Sequence, residues 1–162
     1  LHAFLYTQSG IPVLYAGDEI AQLNDYGYHE DPLKYADSRY LHRGDMDWED
    51  ADKRTDKDTR QGRVFAALKK LRGIREKNIV FSSLADAWII ETYNDRVLGI
   101  GRYYKGQKLI ALFNFSDSAE TAWIDEVEDY KDMITGKKTP ARALELLPWD
   151  FVWLLTVFGQ SD

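Results

Sequence analysis

The stretch that decides the fold is GIPVLYAGDEIAQLNDYGYHEDPLKYADSRYLHR, residues 10–43. It opens with a β-branched and aromatic run, residues 11–15, that ends before Gly17. A short run that is apolar on both faces is typical of a fully buried parallel strand. The run therefore predicts one strand of a parallel sheet, and a polar, acidic loop follows it from Asp18.

The loop after this strand is the first candidate for a functional segment. In barrels of parallel strands, the loops at the carboxyl ends of the strands carry the chemistry. This loop is rich in Asp, Gly and Tyr and stays irregular to about residue 58. An irregular segment of that length inside a compact domain is usually functional or disordered, and we favour a functional loop.

The remainder of the chain changes from helical to strand periodicity. Residues 1–7 are predicted as the end of a helix, with Gly10 as its left-handed cap. A second, amphipathic helix is predicted from about Thr59 to Glu76, because apolar residues recur there at helical spacing. Strands are predicted over residues 87–93, 97–104, 108–115, 120–124, 130–134, 142–147 and 151–158. Many short strands separated by turns predict an antiparallel β-sandwich.

The first third of the chain also resembles a known family. Gly10-Ile11-Pro12-Val13-Leu14-Tyr15-Ala16-Gly17-Asp18-Glu19 is similar to the eighth barrel strand of the alpha-amylase superfamily of glycoside hydrolases. The continuations Leu23-Asn24-Asp25-Tyr26, Asp37-Ser38-Arg39-Tyr40 and His42-Arg43 narrow the resemblance to amylosucrase and the related sucrose hydrolases, which cleave sucrose. The resemblance implies a (β/α)8 barrel followed by a β-sandwich.

This resemblance implies a mainly β chain in two parts. Residues 1–78 would be the last strand, pocket loop and last helix of a truncated barrel, and residues 79–162 an antiparallel β-sandwich of the alpha-amylase C-terminal type. The family's nucleophile, acid/base and transition-state carboxylates lie on earlier strands, so no catalytic residue is expected here. A chain of 162 residues is also shorter than the roughly 250 of a barrel. We therefore expect a C-terminal fragment that is inactive in isolation.

Four residues of the loop are the predicted substrate-binding residues: Arg39, Asp37, Asp25 and Asn24. A guanidinium pairs bidentately with a carboxylate. In amylosucrase-like enzymes the matching Arg pairs with an Asp from an early barrel strand and closes the pocket below the glucosyl ring. The alternatives are a solvated loop arginine, or an arginine that pairs with nearby Asp37. Asn24 and Asp25 have the groups to bind sugar hydroxyls, but Asn and Asp also cap turns.

Other polar and aromatic residues favour structural roles. Adjacent strand residues point to opposite faces, so Asp18 and Glu19 are not expected to act as a catalytic pair. His29 and His42 lack a third ligand at metal spacing, and neither a metal nor a cofactor is expected. The tryptophans at 88, 123, 149 and 153 offer possible sugar platforms, although the alternation around Trp88 and Trp153 favours core packing.

Composition narrows the classes of partner. A net charge of −6 disfavours a nucleic-acid backbone, which is bound mainly by Lys and Arg. No apolar run reaches the roughly 20 residues of a membrane span. The absence of cysteine is compatible with the cytoplasm of a bacterium, which we weakly favour, and with secretion. The expected partners are the upstream barrel and a carbohydrate, either sucrose or an α-glucan.

Two functional hypotheses remain open from the sequence. The first is a sucrose-cleaving glucosyltransferase or hydrolase of the alpha-amylase superfamily, of which this chain holds the pocket loop and the sandwich. The second is a non-catalytic carbohydrate-binding or structural β-sandwich module. The sequence does not distinguish hydrolysis from glucan synthesis, because the acceptor subsites of the family are formed by other loops.

Overall fold

The computed structural model describes residues 1–126 and 129–156, which belong to two compact units. Unit 1 combines Leu1–Pro12 with the chain from Gly73 onward, and unit 2 is Val13–Arg72. Unit 2 is therefore inserted, in sequence, between two segments of unit 1. The sequence predicts a different boundary, at residue 78, between the remnant of the barrel and the β-sandwich. That boundary stays a prediction.

The predicted helices at residues 1–7 and 59–76 are present, whereas the helix Trp48–Asp52 lies in the segment that was predicted to be irregular. The helices are α1 (His2–Thr7), α2 (Trp48–Asp52) and α3 (Arg60–Lys77), accompanied by short 3-10 turns at Asp18–Ile20, Tyr26–Glu30, Ser38–His42, Lys53–Thr55 and Ile79–Phe81. Thr59 caps α3 by accepting a hydrogen bond from the backbone nitrogen of Gly62 (3.0 Å). The predicted helix is therefore present, and Leu68 and Leu71 of its predicted apolar face are buried while Val64 and Ile74 are half-buried.

In the described part of unit 1, eight strands form two antiparallel sheets. They are β1 (Asp86–Ile90), β2 (Val97–Tyr104), β3 (Gln107–Asn114), β4 (Glu120–Trp123), β5 (Asp129–Asp132), β6 (Lys138–Pro140), β7 (Ala143–Leu146) and β8 (Phe151–Thr156). Strand order in the larger sheet is β1-β2-β3-β8-β5-β6, and β4 pairs with β7 in the smaller one. The hairpin between β2 and β3 turns on Lys105 and Gly106, both at positive φ, as a two-residue turn of type I′ requires.

An apolar core lies between the two sheets. Ile110, Leu112 and Leu154 of the larger sheet are fully buried with Ala122 and Leu146 of the smaller one. The paired strands alternate, so these side chains share the inner face while their neighbours point outward. The predicted antiparallel β-sandwich is therefore confirmed.

The outer face of the larger sheet is covered by aromatic rings and by α1. Trp153 is fully buried, its ring lies 5.0 Å from that of Phe81, and its Nε1 donates to Thr7 Oγ1 (2.9 Å). The ring of Phe4 in α1 contacts Phe113 edge-on at 5.8 Å. These contacts attach the first residues of the chain to the last described strand of the sheet.

Two arginines fix the segment after α1 by binding its carbonyl groups. Arg102 of β2 is only 1% exposed, and its guanidinium donates to the carbonyls of Thr7 (2.9 Å) and Val80 (3.0 Å). It also donates to the carbonyl of Ser82 and to Ser9 Oγ. Arg75 donates to the carbonyls of Tyr6, Gln8 and Gly10. Burial lowers the pKa of both arginines from its usual value, and the backbone dipoles around them replace part of the lost hydration.

The structure corrects the prediction of a parallel strand at residues 11–15. This segment has no strand pairing, and Ile11, Val13 and Tyr15 are 90%, 76% and 55% exposed. A strand that is apolar on both faces needs hydrogen-bonded neighbours on each side and covering layers, and no parallel neighbour lies among the described residues. Gly10 does adopt positive φ, but α1 ends earlier, at Thr7.

Smaller corrections concern the sandwich. Trp153 occupies the core as predicted, whereas Trp88 is 40% exposed. The Trp88 ring lies over Gly101, where the Cβ of any other residue would clash with it. Strand β6 was not predicted, because Lys138-Thr139-Pro140 lacks apolar alternation and forms an edge strand. The predicted final strand is present as β8, and its last two residues, 157–158, lie outside the described residues.

Candidate functional site

The end of the predicted strand and the arginine motif line one cavity in unit 2. This cavity has a volume of about 420 Å³ and is lined by Tyr15, Asp18, Arg39, His42 and Arg43. Arg39 and His42 come from the 3-10 turn Ser38–His42, whereas Tyr15 and Asp18 stand on either side of Gly17. The fold of unit 2 thus brings the two parts of the sequence motif together around a concave surface.

Arg39 is held by Asp37 in a two-point ion pair. Its Nη2 lies 2.7 Å from Asp37 Oδ2 and its Nε lies 2.8 Å from Asp37 Oδ1. The backbone nitrogen of Arg39 also donates to Asp37 Oδ1 (3.0 Å), so Asp37 caps the turn. The Arg39 side chain is 70% exposed. This local pair is one of the alternative arrangements that the sequence left open, and it uses Nε and Nη2, so Nη1 can donate to a second acceptor.

The ion pair shifts the titration of Asp37. Hydrogen bonds from the Arg39 side chain and then from its backbone nitrogen lower the pKa of Asp37 from 3.8 to about 2. Since the pKa of the folded state is depressed, the contribution of the pair is present above pH 3.8 and is lost as the pH falls through about 2. At neutral pH the Asp37 carboxylate is charged and pairs with the exposed guanidinium of Arg39.

We expect a carboxyl-carbon NMR titration of Asp37 to have its midpoint near pH 2. Arg39→Gln should move the midpoint toward 3.8 without reaching it, because the backbone hydrogen bond remains. The matched control is Arg43→Gln, since Arg43 is the smallest of the causes that lower this pKa. A wild-type midpoint at the ordinary value would contradict the ion pair.

Asn24 and Asp25 occupy different surroundings. Asn24 Oδ1 lies 3.0 Å from His42 Nδ1, which places Asn24 beside the cavity of Arg39. Asp25 accepts a hydrogen bond from the backbone nitrogen of Gly27 (2.9 Å) and caps the turn Tyr26–Glu30. It also lines a second cavity of about 400 Å³ that contains Asp45, Asp47, Asp50 and Arg60 among its walls. Of the four predicted residues, Arg39 lines the first cavity and Asp25 lines the second. Asp37 and Asn24 contact the first cavity's lining residues Arg39 and His42.

The acidic pair after the strand has a structural arrangement. Asp18 Oδ2 accepts from the backbone nitrogen of Tyr15 (3.3 Å), and Glu19 Oε2 accepts from that of Gly17 (2.9 Å). These bonds shape the sharp turn at Gly17, which has φ +98°. The two carboxylates thus bind separate backbone groups.

Tyr15, Asp18, His42 and Arg43 line the cavity but were not among the predicted substrate-binding residues. For Tyr15 and Asp18 the available signal is their position at the carboxyl end of the apolar run. For His42 and Arg43 it is their place in the sequence resemblance. Among the described residues, no cluster of three His, Asp or Glu side chains forms a candidate metal site.

A sequence relative accounts for most of the chain. It is a cyclomaltodextrinase from Thermoanaerobacter pseudethanolicus, 31% identical over 137 residues, which are 83% of this chain and 20% of that protein. No protein-family profile matches the chain. This chain therefore spans about a fifth of the curated relative.

Solved structures share the fold. AmyP in complex with maltose superposes with a TM-score of 0.74 at 19% identity, over 94% of this chain and 33% of AmyP. CldA, a cyclomaltodextrin glucanotransferase with a three-domain ABC distribution, has a TM-score of 0.68 at 19% identity, over 98% of this chain and 31% of CldA. Each structural match thus covers about a third of the neighbouring chain.

In sequence the chain is similar to part of a cyclomaltodextrinase, and in fold it resembles the C-terminal domain of alpha-amylase-family enzymes. It is mostly antiparallel sheet with few helices, as predicted. None of these proteins is named as an amylosucrase, so the narrower resemblance is not confirmed. Within the described part of the chain, no helix has the length and apolarity of a membrane span.

Proposed function

We propose that this chain is the C-terminal part of an alpha-amylase-superfamily enzyme that cleaves α-glucosidic bonds, and that unit 2 contributes Arg39 to its substrate pocket. The observation that carries the proposal is the cavity of Arg39, Tyr15 and Asp18, because it joins the arginine to the end of the segment that resembles the family's last barrel strand in sequence. The 31% identity to a cyclomaltodextrinase supports the reaction class.

The substrate proposed from the residues is sucrose or a short α-glucan. The segments Leu23-Asn24-Asp25-Tyr26 and Asp37-Ser38-Arg39-Tyr40 favour sucrose, whereas the names of the relatives point to maltodextrins. In the complete enzyme, Arg39 pairs through its remaining nitrogen with a carboxylate of an earlier strand. Asp37 holds the guanidinium in the required plane, and the pair closes one end of a glucose-sized pocket.

The chain alone is proposed to be inactive. A retaining glycosidase needs two carboxyl groups roughly 5 Å apart across the scissile bond. Asp18 and Glu19, the acidic pair nearest the cavity, are each engaged with backbone groups. The upstream barrel would supply the nucleophile and the acid/base, and it would cover the exposed residues Ile11 and Val13.

The test uses the complete enzyme that contains this chain, with sucrose, maltoheptaose and a cyclodextrin as separate substrates. Arg39→Ala should lower kcat/KM by roughly a hundredfold or more, because the facing carboxylate is then buried without a partner. Arg39→Lys should recover little of this loss, since an ammonium group does not form the planar two-point contact.

The matched control is Lys69→Ala on the exposed face of α3, which should leave kcat/KM within about twofold, as expected for a surface substitution. Near-wild-type turnover by Arg39→Ala would assign Arg39 to the solvent-exposed ion pair alone. Product analysis of the three substrates separates a sucrose-cleaving enzyme from a maltodextrin-cleaving one.

A non-catalytic carbohydrate-binding module is the second candidate. The exposed tryptophans of unit 1 favour it, because Trp123 and Trp149 are 55% and 66% exposed. Failure of the complete protein to cleave any of the three substrates, with saccharide binding retained by this chain, would replace the enzyme proposal by this one.

A further inference from the structure

Two aromatic residues of unit 1 adopt a backbone conformation that bulky residues rarely adopt. Tyr93 has φ +51° and Trp149 has φ +59°. Positive φ is strained for a large L-residue, and such strain tends to occur at functional sites. Both side chains are largely in solvent, 75% and 66% exposed respectively, so burial of the rings does not compensate for the strain.

The turn that contains Trp149 would ordinarily favour glycine. The backbone nitrogen of Asp150 donates to the carbonyl of Leu147 (3.1 Å), with Pro148 and Trp149 as the central residues. Proline followed by a residue at positive φ is the pattern of a type II turn, in which glycine is preferred at the third position. An exposed indole therefore takes the place that backbone geometry assigns to glycine.

Both residues lie at the same end of the larger sheet. Tyr93 precedes β2, whose first residue, Val97, pairs with the last residue of β3. Trp149 precedes β8, which pairs with the same end of β3. The backbone nitrogen of Trp149 donates to the carbonyl of Ser116 (3.1 Å), and that of Trp123 donates to the carbonyl of Thr92 (2.9 Å). A third exposed ring, Trp123, thus lies beside the Tyr93 turn.

Fixed polar groups lie among these turns. Glu120 accepts hydrogen bonds from Asn94 Nδ2 (2.9 Å) and Arg96 Nη1 (3.0 Å), which lower the pKa of its carboxyl group. The Arg96 side chain is 61% exposed. A cavity of about 420 Å³ lies at the same turn and is lined in part by Thr92, Asn94, Arg96 and Phe115. Hydrogen-bonding groups therefore lie next to Tyr93 in the turn before β2.

We propose that Tyr93, Trp123 and Trp149 form an accessory α-glucan-binding surface on the sandwich, separate from the cavity of Arg39. A pyranose has an apolar face that stacks on an aromatic ring and hydroxyl groups that both donate and accept hydrogen bonds. The rings would stack on the apolar face of the sugar, and Arg96 and Glu120 would form hydrogen bonds with its hydroxyl groups. The choice of an α-glucan as ligand rests on the proposed function.

The experiment is titration calorimetry of the 162-residue chain with maltoheptaose. Trp149→Gly and Tyr93→Asn should each weaken binding roughly fivefold to tenfold, because each removes one stacking ring. Glycine and asparagine both tolerate positive φ, so these variants should keep or raise the thermal unfolding midpoint. Affinity and thermal stability are expected to change in opposite directions, which a purely structural role would not produce.

The control is Tyr103→Ala, an exposed tyrosine at the other end of β2, which should leave the affinity unchanged. The proposal would be overturned if the wild-type chain released no heat of binding at about 10 mM maltoheptaose, a concentration above the dissociation constant of a weak, millimolar site. Unchanged affinity in folded Trp149→Gly, or an equal loss in Tyr103→Ala, would do so too. If the complete enzyme cleaves its substrate but this chain does not bind maltoheptaose, only the accessory surface is rejected. If this chain binds maltoheptaose but the complete protein cleaves no substrate, the proposed enzyme function is rejected.

Discussion

Arg102→Met is expected to lower the free energy of unfolding by about 3 kcal/mol or more. The substitution keeps much of the side-chain length but removes every donor, which leaves the carbonyls of Thr7 and Val80 buried without partners. An unsatisfied buried acceptor costs roughly 1–3 kcal/mol, and bonds from a charged donor are the stronger ones. Urea denaturation followed by near-ultraviolet circular dichroism measures the loss.

Two further variants sharpen the test of Arg102. Arg102→Lys should be intermediate, because a single ammonium group does not reproduce the planar fork that reaches Val80, Thr7 and Ser82. Lys131→Met removes an exposed cation from β5 and should change stability by no more than about 0.5 kcal/mol. An unfolding midpoint of Arg102→Met equal to that of the wild type would mean that these carbonyls find other partners.

Trp153→Ala is expected to be at least as damaging, with a loss of about 3–5 kcal/mol, the range for removing a large aromatic side chain from a core. The indole is fully buried, lies 5.0 Å from Phe81 and 5.9 Å from Phe151, and donates to Thr7 Oγ1. Its removal opens a cavity and also leaves the hydroxyl of Thr7 without this donor. Thermal and urea unfolding followed by circular dichroism measure the change.

The corresponding partial variant is Trp153→Phe, which keeps a ring but removes the donor and should have a smaller effect than alanine. Trp48→Ala, at a position in α2 that is 74% exposed, is the matched tryptophan control and should change stability within about 0.5 kcal/mol. Equal losses at Trp48 and Trp153 would contradict the burial that the structure assigns to Trp153.

The sandwich was predictable because its signals are local. Strand β2 has the predicted bounds, since its alternation is bounded by Asn94-Asp95 on one side and by the Lys105-Gly106 turn on the other. The segment at residues 11–15 was predicted wrongly because its strand character depends on neighbouring strands. Local pattern identifies a segment able to form a strand, but pairing decides whether a strand forms.

Long-range polar contacts were beyond the sequence pattern. Arginine is mostly exposed in folded proteins, and nothing near Arg102 in sequence indicates that distant carbonyls surround its guanidinium. At the candidate site, the pairing of Arg39 with Asp37 was one of the predicted arrangements, because the two residues are close in sequence. The contribution of Tyr15 and His42 to the same cavity depends on how the loop folds back, which spacing does not specify.

The bond between Trp153 and Thr7 has a consequence for the order of folding. It joins residues 146 positions apart, and Arg102 reaches Thr7 across 95 positions. Contacts so distant in sequence form slowly, because the chain loses the entropy of closing a long loop before the stabilising contact is made. During synthesis, helix α1 therefore stays without its complete binding surface until the strands up to β8 have been made. Until then the rings that it covers are open to other molecules, and this interval is when the chain most needs protection from aggregation.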